Sequence, residues 1–270
     1  MKDLQELLYK KYGKSHLSAS SIKNAGIDMV AFHNYMAGER KESEALKFGS
    51  CFDSFLFDGR EEWDKKYIIE DDADIINTIL KDRPDVKNAR GTKEYKVWRE
   101  ANMSGDREIV EKDKFELIEG MYRRLDTTGT INTLLQGEYQ QELREDFIKV
   151  DDLWVPVKGF YDVINDERKF ITDHKTTNIK PYEFSARKFG YRVQSYGYDI
   201  QAYVYCQSSG YDDFYWVVSL KDYPFSVGEF KASEDTLHWG HKKFEAYVRK
   251  IYMFLVDDRN PYETVVKGEI

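Results

Sequence analysis

Cysteine is nearly absent. Cys51 and Cys206 are the only two in 270 residues, too few for a disulfide framework or a four-cysteine zinc or iron–sulfur site, and neither lies in a CxxC pair. A reducing, cytoplasmic compartment is the expectation. Long apolar runs are missing as well. The longest near the C-terminus, Ile251 to Val256, is far short of the ~20 residues a spanning helix needs. The opening MKDLQELLYKKYGK lacks the apolar stretch of a secretory signal, so the expectation is a soluble protein with no membrane partner. Positive charge is not in excess: 41 Lys and Arg stand against 49 Asp and Glu, a net −8, which excludes a globally basic nucleic-acid binder but not a local basic channel. There is no P-loop or G-x-G-x-x-G for nucleotide-driven chemistry, no internal repeat, and no Pro/Gly/Ser-rich linker.

What the chain has is aromatics: 20 Tyr, 16 Phe and 5 Trp, a content that disordered acidic chains do not carry. At about 150 residues per domain the length allows one large domain or two small ones, and the missing linker favours one. Up to about residue 150 the spacing is helical, with Phe48, Phe52, Phe55 and Leu56 in one stripe and Ser18 to Ser21 offering N-caps. From Trp154 the period becomes two. WVPVKGFYDVI reads as one strand, residues 165–168 as a turn and KFITDHKTT as the returning strand of a hairpin. One helix is expected across 183–206, strands at 214–220 and about 226–231, and a last helix from a Ser233 N-cap with the stripe Leu237, Phe244, Val248, Ile251, Tyr252 and Leu255.

Asp173 and Lys175 are two apart on the second hairpin strand and leave the same face. With the turn centred between Asp166 and Glu167, Asp162 falls opposite Ile171 and diagonal to Asp173. Diagonal neighbours stand ~7–8 Å apart, close enough for two carboxylates to converge on one oxygen-loving cation. Lys175 would then orient or deprotonate the attacking water and offset phosphate charge. The bland alternative for a bare D-x-K is a surface salt-bridge ladder. Phe160 and Ile171 on the same face argue against it, because a buried carboxylate pair needs a cation.

GFYD, then ITDHKTT, then YDIQAYVY, preceded by HLSASSIKNA and ALKFGSCFDSFLFDG and followed by YWVVSLKDYPFSVGEFKA, resembles the PD-(D/E)xK nuclease superfamily, and within it the exonuclease VIII (RecE-like) group of phages and prophages. The similarity runs over most of the chain and rests on the ordered set of segments. It implies an α/β, restriction-endonuclease-like core: a mixed central sheet flanked by helices, with a helical N-terminal half. That is a single nuclease domain over 1–270, mainly helical in 1–135, with the catalytic α/β core in 136–270. Carried over by position, Asp162 and Asp173 become metal ligands and Lys175 the catalytic lysine. Gln201 and Tyr205 become the Q-x-x-x-Y pair that contacts DNA phosphate or braces the site, with Gln194 and Tyr198 as a rival pair. QGEYQQELRED supplies a further acidic ligand, Glu142 ahead of Glu138. Where the group usually has His, four residues after Gly49, this chain has Asp53, either a carboxylate ligand suited to Mg²⁺, the mark of a degenerate site, or a cap.

The activity so implied is Mg²⁺- or Mn²⁺-dependent DNA hydrolysis with two ions. The enzyme would be a processive 5′→3′ exonuclease on linear duplex ends that leaves 3′ single strands for an annealing recombination protein in a bacterial host cell. A homo-oligomeric ring would close around DNA, its channel lined by cations such as Arg187, Lys188 and Arg192. The alternatives are a RecB-like or restriction-type endonuclease, or a non-catalytic DNA- or partner-binding member. His174 points away from Asp173 and reads as structural, His238 and His241 lack a third ligand, Ser18, Ser20 and Ser21 read as caps, and the acidic runs at 61–62 and 71–74 read as solvated faces.

Overall fold

The computed structural model describes residues 3–39, 43–103, 105–143 and 147–262. The chain forms two compact units, one from residues 1–42 with 128–270 and one from 43–127.

The first unit opens with α1 (Leu4–Tyr12), α2 (Ala19–Ile27) and α3 (Met29–Ala37). Each start is fixed by a side chain that accepts a backbone N–H: Asp3 from Gln5, Ser18 from Ser21, Asp28 from Ala31. Ser18 and Ser21 form a reciprocal capping box, so these serines serve helix starts. Leu4, Leu8, Ile22 and Phe32 are fully buried in the same apolar cluster as the sheet residues Val155, Tyr161 and Phe214.

The second unit contains α4 (Glu44–Asp53), a π-helical turn (Ser54–Asp58), α5 (Gly59–Lys66), β1 (Tyr67–Glu70), α6 (Ala73–Asp82), α7 (Lys93–Asn102), β2 (Glu108–Glu111) and α8 (Lys112–Thr127). Its β1 and β2 pair in parallel. They were not expected among the helices, because each is only four residues long and carries no alternating pattern. Trp63 stacks on Tyr67 with centroids 5.1 Å apart and donates from its indole N–H to the Cys51 carbonyl. Glu70 and Asp72 are buried but satisfied. The Tyr95 hydroxyl stands 2.9 Å from Glu70 and 2.8 Å from Asp72, while Arg99 and Arg90 each donate to one of the carboxylates at 2.7 Å.

The chain returns to the first unit with β3 (Glu138–Glu142), β4 (Phe147–Val150), β5 (Leu153–Pro156), β6 (Phe160–Asn165) and β7 (Phe170–Thr177). Helices α9 (Ala186–Tyr196) and α10 (Tyr198–Ser209), strands β8 (Asp213–Leu220) and β9 (Val227–Lys231), and α11 (Glu234–Val256) complete it. Five strands make one mixed sheet in the order β3-β6-β7-β8-β9, antiparallel except for β7 and β8. Parallel neighbours need a crossover, and α9 with α10 provides it. The mixed sheet with flanking helices and a mainly helical first half is the α/β architecture expected from the sequence.

Three local expectations are corrected. Residues 154–164 form two strands: β5 pairs with β4, while Leu17 donates to the Pro156 carbonyl and accepts from Lys158 N–H, so the intervening backbone is claimed by the N-terminal segment. The hairpin turn is centred one residue later, with Asn165 against Phe170, because the Asn165 side chain accepts from Arg168 N–H and Lys169 takes a left-handed φ of 55°. The crossover is two helices broken at Gly197, φ 66°, a left-handed conformation that glycine adopts without penalty.

Candidate active site

The hairpin register decides what faces what. Val163 pairs with Thr172 and Ile164 with Ile171, so the same register carried one step further sets Asp162 directly across from Asp173. Regular pairing of β6 with β7 stops there. Beyond it the His174 N–H donates to Oδ2 of Asp162 at 2.8 Å; a side chain has taken the place of a rung in the ladder. Asp162 is therefore held from the neighbouring strand, half-buried.

Asp173 is 1% exposed. The Lys175 ammonium donates to its Oδ1 at 2.7 Å and stands 2.6 Å from its Oδ2, as two same-face neighbours on a strand can. Gln201 Nε2 also donates to Oδ1, at 2.8 Å. Apart from the lysine contact, the buried Oδ2 has no hydrogen-bond partner. Lys175 keeps 24% of its side chain exposed. Burial pushes its ammonium down, but the charges of Asp173 and Asp162 outweigh it and hold its pKa above the ordinary lysine value. Its Nζ also lies 5.3 Å over the Tyr198 ring.

Helix α10 carries Gln201 and Tyr205 one turn apart on one face. The Tyr205 hydroxyl donates to the Phe160 carbonyl at 2.7 Å, and its ring meets Tyr161 edge-on at 5.1 Å. Burial raises the Tyr205 hydroxyl pKa, and the nearby Asp162 and Asp173 carboxylates raise it further. Gln201 thus orients Asp173, and Tyr205 ties α10 to β6. The rival Gln194 belongs to α9, exposed, and its carbonyl accepts from Lys243. The break at Gly197 puts Gln194 and Tyr198 on different helices, so they form no helix-face pair.

The other sequence candidates have the following surroundings. Glu142 is exposed at the end of β3, paired in register with Phe160, and Glu138 pairs with Ile164. Glu142 edges a cleft of about 720 Å³ with Lys158 and His16. Residues 144–146, the end of the acidic stretch, lie outside the described residues. Asp53 is half-buried at the end of α4 in the second unit. His174 is buried and shares a hydrogen bond with Ser219, the structural role expected of it. His241 stacks on Tyr203 and stands 3.3 Å from Glu245. The Q-x-x-x-Y spacing offers Tyr198 only as a motif tyrosine, and no spacing rule announces its place over Lys175.

Among the described residues no group of three His, Cys, Asp or Glu is placed to hold a metal ion. Two facing carboxylates still fit a hard divalent cation. Magnesium is often bound through one or two carboxylates and completed by water and substrate phosphate, and the buried Asp173 Oδ2, which faces the Lys175 ammonium at 2.6 Å, makes no other hydrogen bond among the described residues.

A family profile described as a PDDEXK-like domain of unknown function (DUF3799) matches residues 18–264. No curated protein sequence matches the chain. Among solved structures it is similar to a candidate exonuclease from Eubacterium rectale, at 16% identity and a TM-score of 0.59, over 100% of this chain and 96% of that one. A phage-related exonuclease from Haemophilus somnus 129PT aligns at 15% identity and a TM-score of 0.36, over 68% of this chain and 94% of that one. The first likeness shows a shared fold.

Proposed function

The chain belongs to the PDDEXK-like domain family whose profile spans residues 18–264, and from that premise we propose that it is a divalent-metal-dependent deoxyribonuclease, acting as an exonuclease on linear duplex DNA. The observation that carries the proposal is the buried Asp173 held by Lys175 and Gln201, with Asp162 on the next strand. A structural ion pair alone does not need two carboxylates facing across a strand gap, and one ammonium leaves a net −1 beside the buried Asp173, which is costly.

In this reading Asp162 and Asp173 hold Mg²⁺ or Mn²⁺, two ions in all, with Glu142 as the acid at the cleft edge. The metal, when bound, supplies Lewis acidity and offsets phosphate charge. The protein does the rest. Gln201 fixes the Asp173 carboxylate through Oδ1. Tyr205, hydrogen-bonded to the Phe160 carbonyl, holds β6 at a constant distance from α10. Lys175, kept cationic by its two acidic neighbours, donates from Nζ toward the reacting phosphate and the water that attacks it. A 5′→3′ direction, processivity, a homo-oligomeric ring and delivery of 3′ single strands to an annealing protein belong to the same proposal and rest on the family resemblance.

Incubation with linear, nicked and circular duplex DNA, each with Mg²⁺, Mn²⁺ or EDTA, tests it. Metal-dependent loss of linear DNA with circles left intact is expected. Opened circles would make it an endonuclease, and no cleavage under any condition would leave a non-catalytic DNA-binding protein.

A further inference from the structure

We propose that the cleft between α9 and the first turns of α11 binds one free nucleotide, its base inserted against Trp216; this rests on the nuclease reading, in which hydrolysis at a strand end releases mononucleotides. The cleft has a volume of about 550 Å³, within the ~300–1,000 Å³ of small-molecule sites. Helical steps of four set Ala186, Gly190 and Gln194 along its α9 wall, and Asp235 and Trp239 stand one turn apart on the α11 side. The middle of the α9 wall is open: a Cβ built on Gly190 would meet nothing within 4 Å. The floor is aromatic. Phe189 stacks on Phe230 at 4.8 Å and meets the Trp216 ring at 5.9 Å.

Trp216 is what points to a ligand. It is 2% exposed, and its indole N–H has no hydrogen-bond partner among the described residues. A buried donor left unpaired is costly, and the other buried tryptophan, Trp63, donates to a backbone carbonyl. An acceptor on a flat ring entering the cleft, a carbonyl or a ring nitrogen, satisfies this N–H. Trp239 and Tyr191 flank the mouth, 58% and 57% exposed, and offer π-faces on which a base can stack. Asp235 supplies an acceptor for a base N–H. Arg187 lines the same mouth, donates to the Tyr191 hydroxyl and has no acidic partner among the described residues, so its guanidinium can meet a phosphate. Stacking faces, a lone N–H donor and a cation at the mouth together describe the base and phosphate of a nucleotide.

Equilibrium dialysis of the full chain in EDTA against labelled dTMP and dGMP tests this, with thymidine and deoxyribose 5-phosphate as controls. Saturable binding of the nucleotides is expected, weaker for thymidine and weaker still for the sugar phosphate. Gly190→Leu, which fills the wall, should abolish it without lowering the melting temperature or the rate of Mg²⁺-dependent cleavage. Trp216→Phe, which keeps a ring and loses the N–H, should weaken it about tenfold. Absence of saturable binding overturns the proposal, and so does unchanged binding in either variant. An oligothymidylate that binds more tightly than dTMP and is lost in Gly190→Leu would put a strand end in the cleft and overturn the free nucleotide as its occupant. Cleavage of linear DNA by the wild type is read separately: its absence defeats the nuclease reading while the dialysis still decides the cleft.

Discussion

Replacing Lys175 with Met asks whether the Asp162–Asp173 pair is a metal site or only one side of a salt bridge. Among the described residues the ammonium is the one cation on Asp173, at 2.7 and 2.6 Å from its two oxygens. Removing it leaves a carboxylate that is 1% exposed with one neutral donor, Gln201. Breaking a buried ion pair from one side costs about 3–5 kcal/mol, which lowers the melting temperature by roughly 10 °C for a protein of this size. The two carboxylates and one ammonium carry −1 together, and Lys175→Met leaves −2, which a divalent cation neutralises. Mg²⁺ at about a hundred times its Kd would return ~2.7 kcal/mol, so the variant should regain most of its stability in Mg²⁺ while failing to cut DNA. Wild type, whose lysine competes for the same oxygens, should gain less. Calorimetric melting with EDTA and with Mg²⁺, beside isothermal titration of the metal, measures both. A variant that melts like wild type without metal, or that gains no more from Mg²⁺ than wild type does, would refute the reasoning.

Asp162→Asn and Asp173→Asn should each abolish Mg²⁺-dependent cleavage while circular dichroism still reports a folded chain; turnover near wild type in either removes it as a ligand. Gln201→Ala should lower kcat more than it raises KM, since its side chain orients Asp173, and Gln201→Glu, which repels that carboxylate, should be worse than Ala. Gly240→Ala would place a Cβ 2.1 Å from the Asp199 carbonyl oxygen, where α11 crosses α10, and should cost about 3 kcal/mol or more in chemical denaturation. The Arg90 guanidinium, joined by the Tyr95 hydroxyl and acting against burial, holds the Asp72 carboxyl below the ordinary carboxylate range. Its contribution is therefore full above the unfolded value of ~3.9 and disappears as pH falls through the lower folded value. Asp72→Asn should flatten this part of the acid-stability curve at a cost of roughly 1–3 kcal/mol near neutral pH, read by hydrogen exchange in α7.

The sequence by itself determined the local pieces. Period-two alternation marked β6 and β7, the serine caps marked α2 and α11, and D-x-K put Asp173 and Lys175 on one face, because these depend on side-chain direction along a few residues. The ordered segments pointed to the PDDEXK-like family without any geometry. What the sequence left open were matters of register and closure, which are settled by contacts between distant residues. A turn centred one residue later moved Asp162 from opposite Ile171 to opposite Asp173, because each one-residue displacement of a hairpin turn slides the pairing by two. Leu17 interrupted what read as a single strand by pairing across Val157. Gly197 divided the crossover helix, and that division let α10 bring Gln201 to Asp173 while leaving Gln194 on α9. The grouping of residues 1–42 with the sheet, separate from 43–127, follows from apolar faces that must be covered by whatever part of the chain returns to them, and no pattern within a helix names its partner.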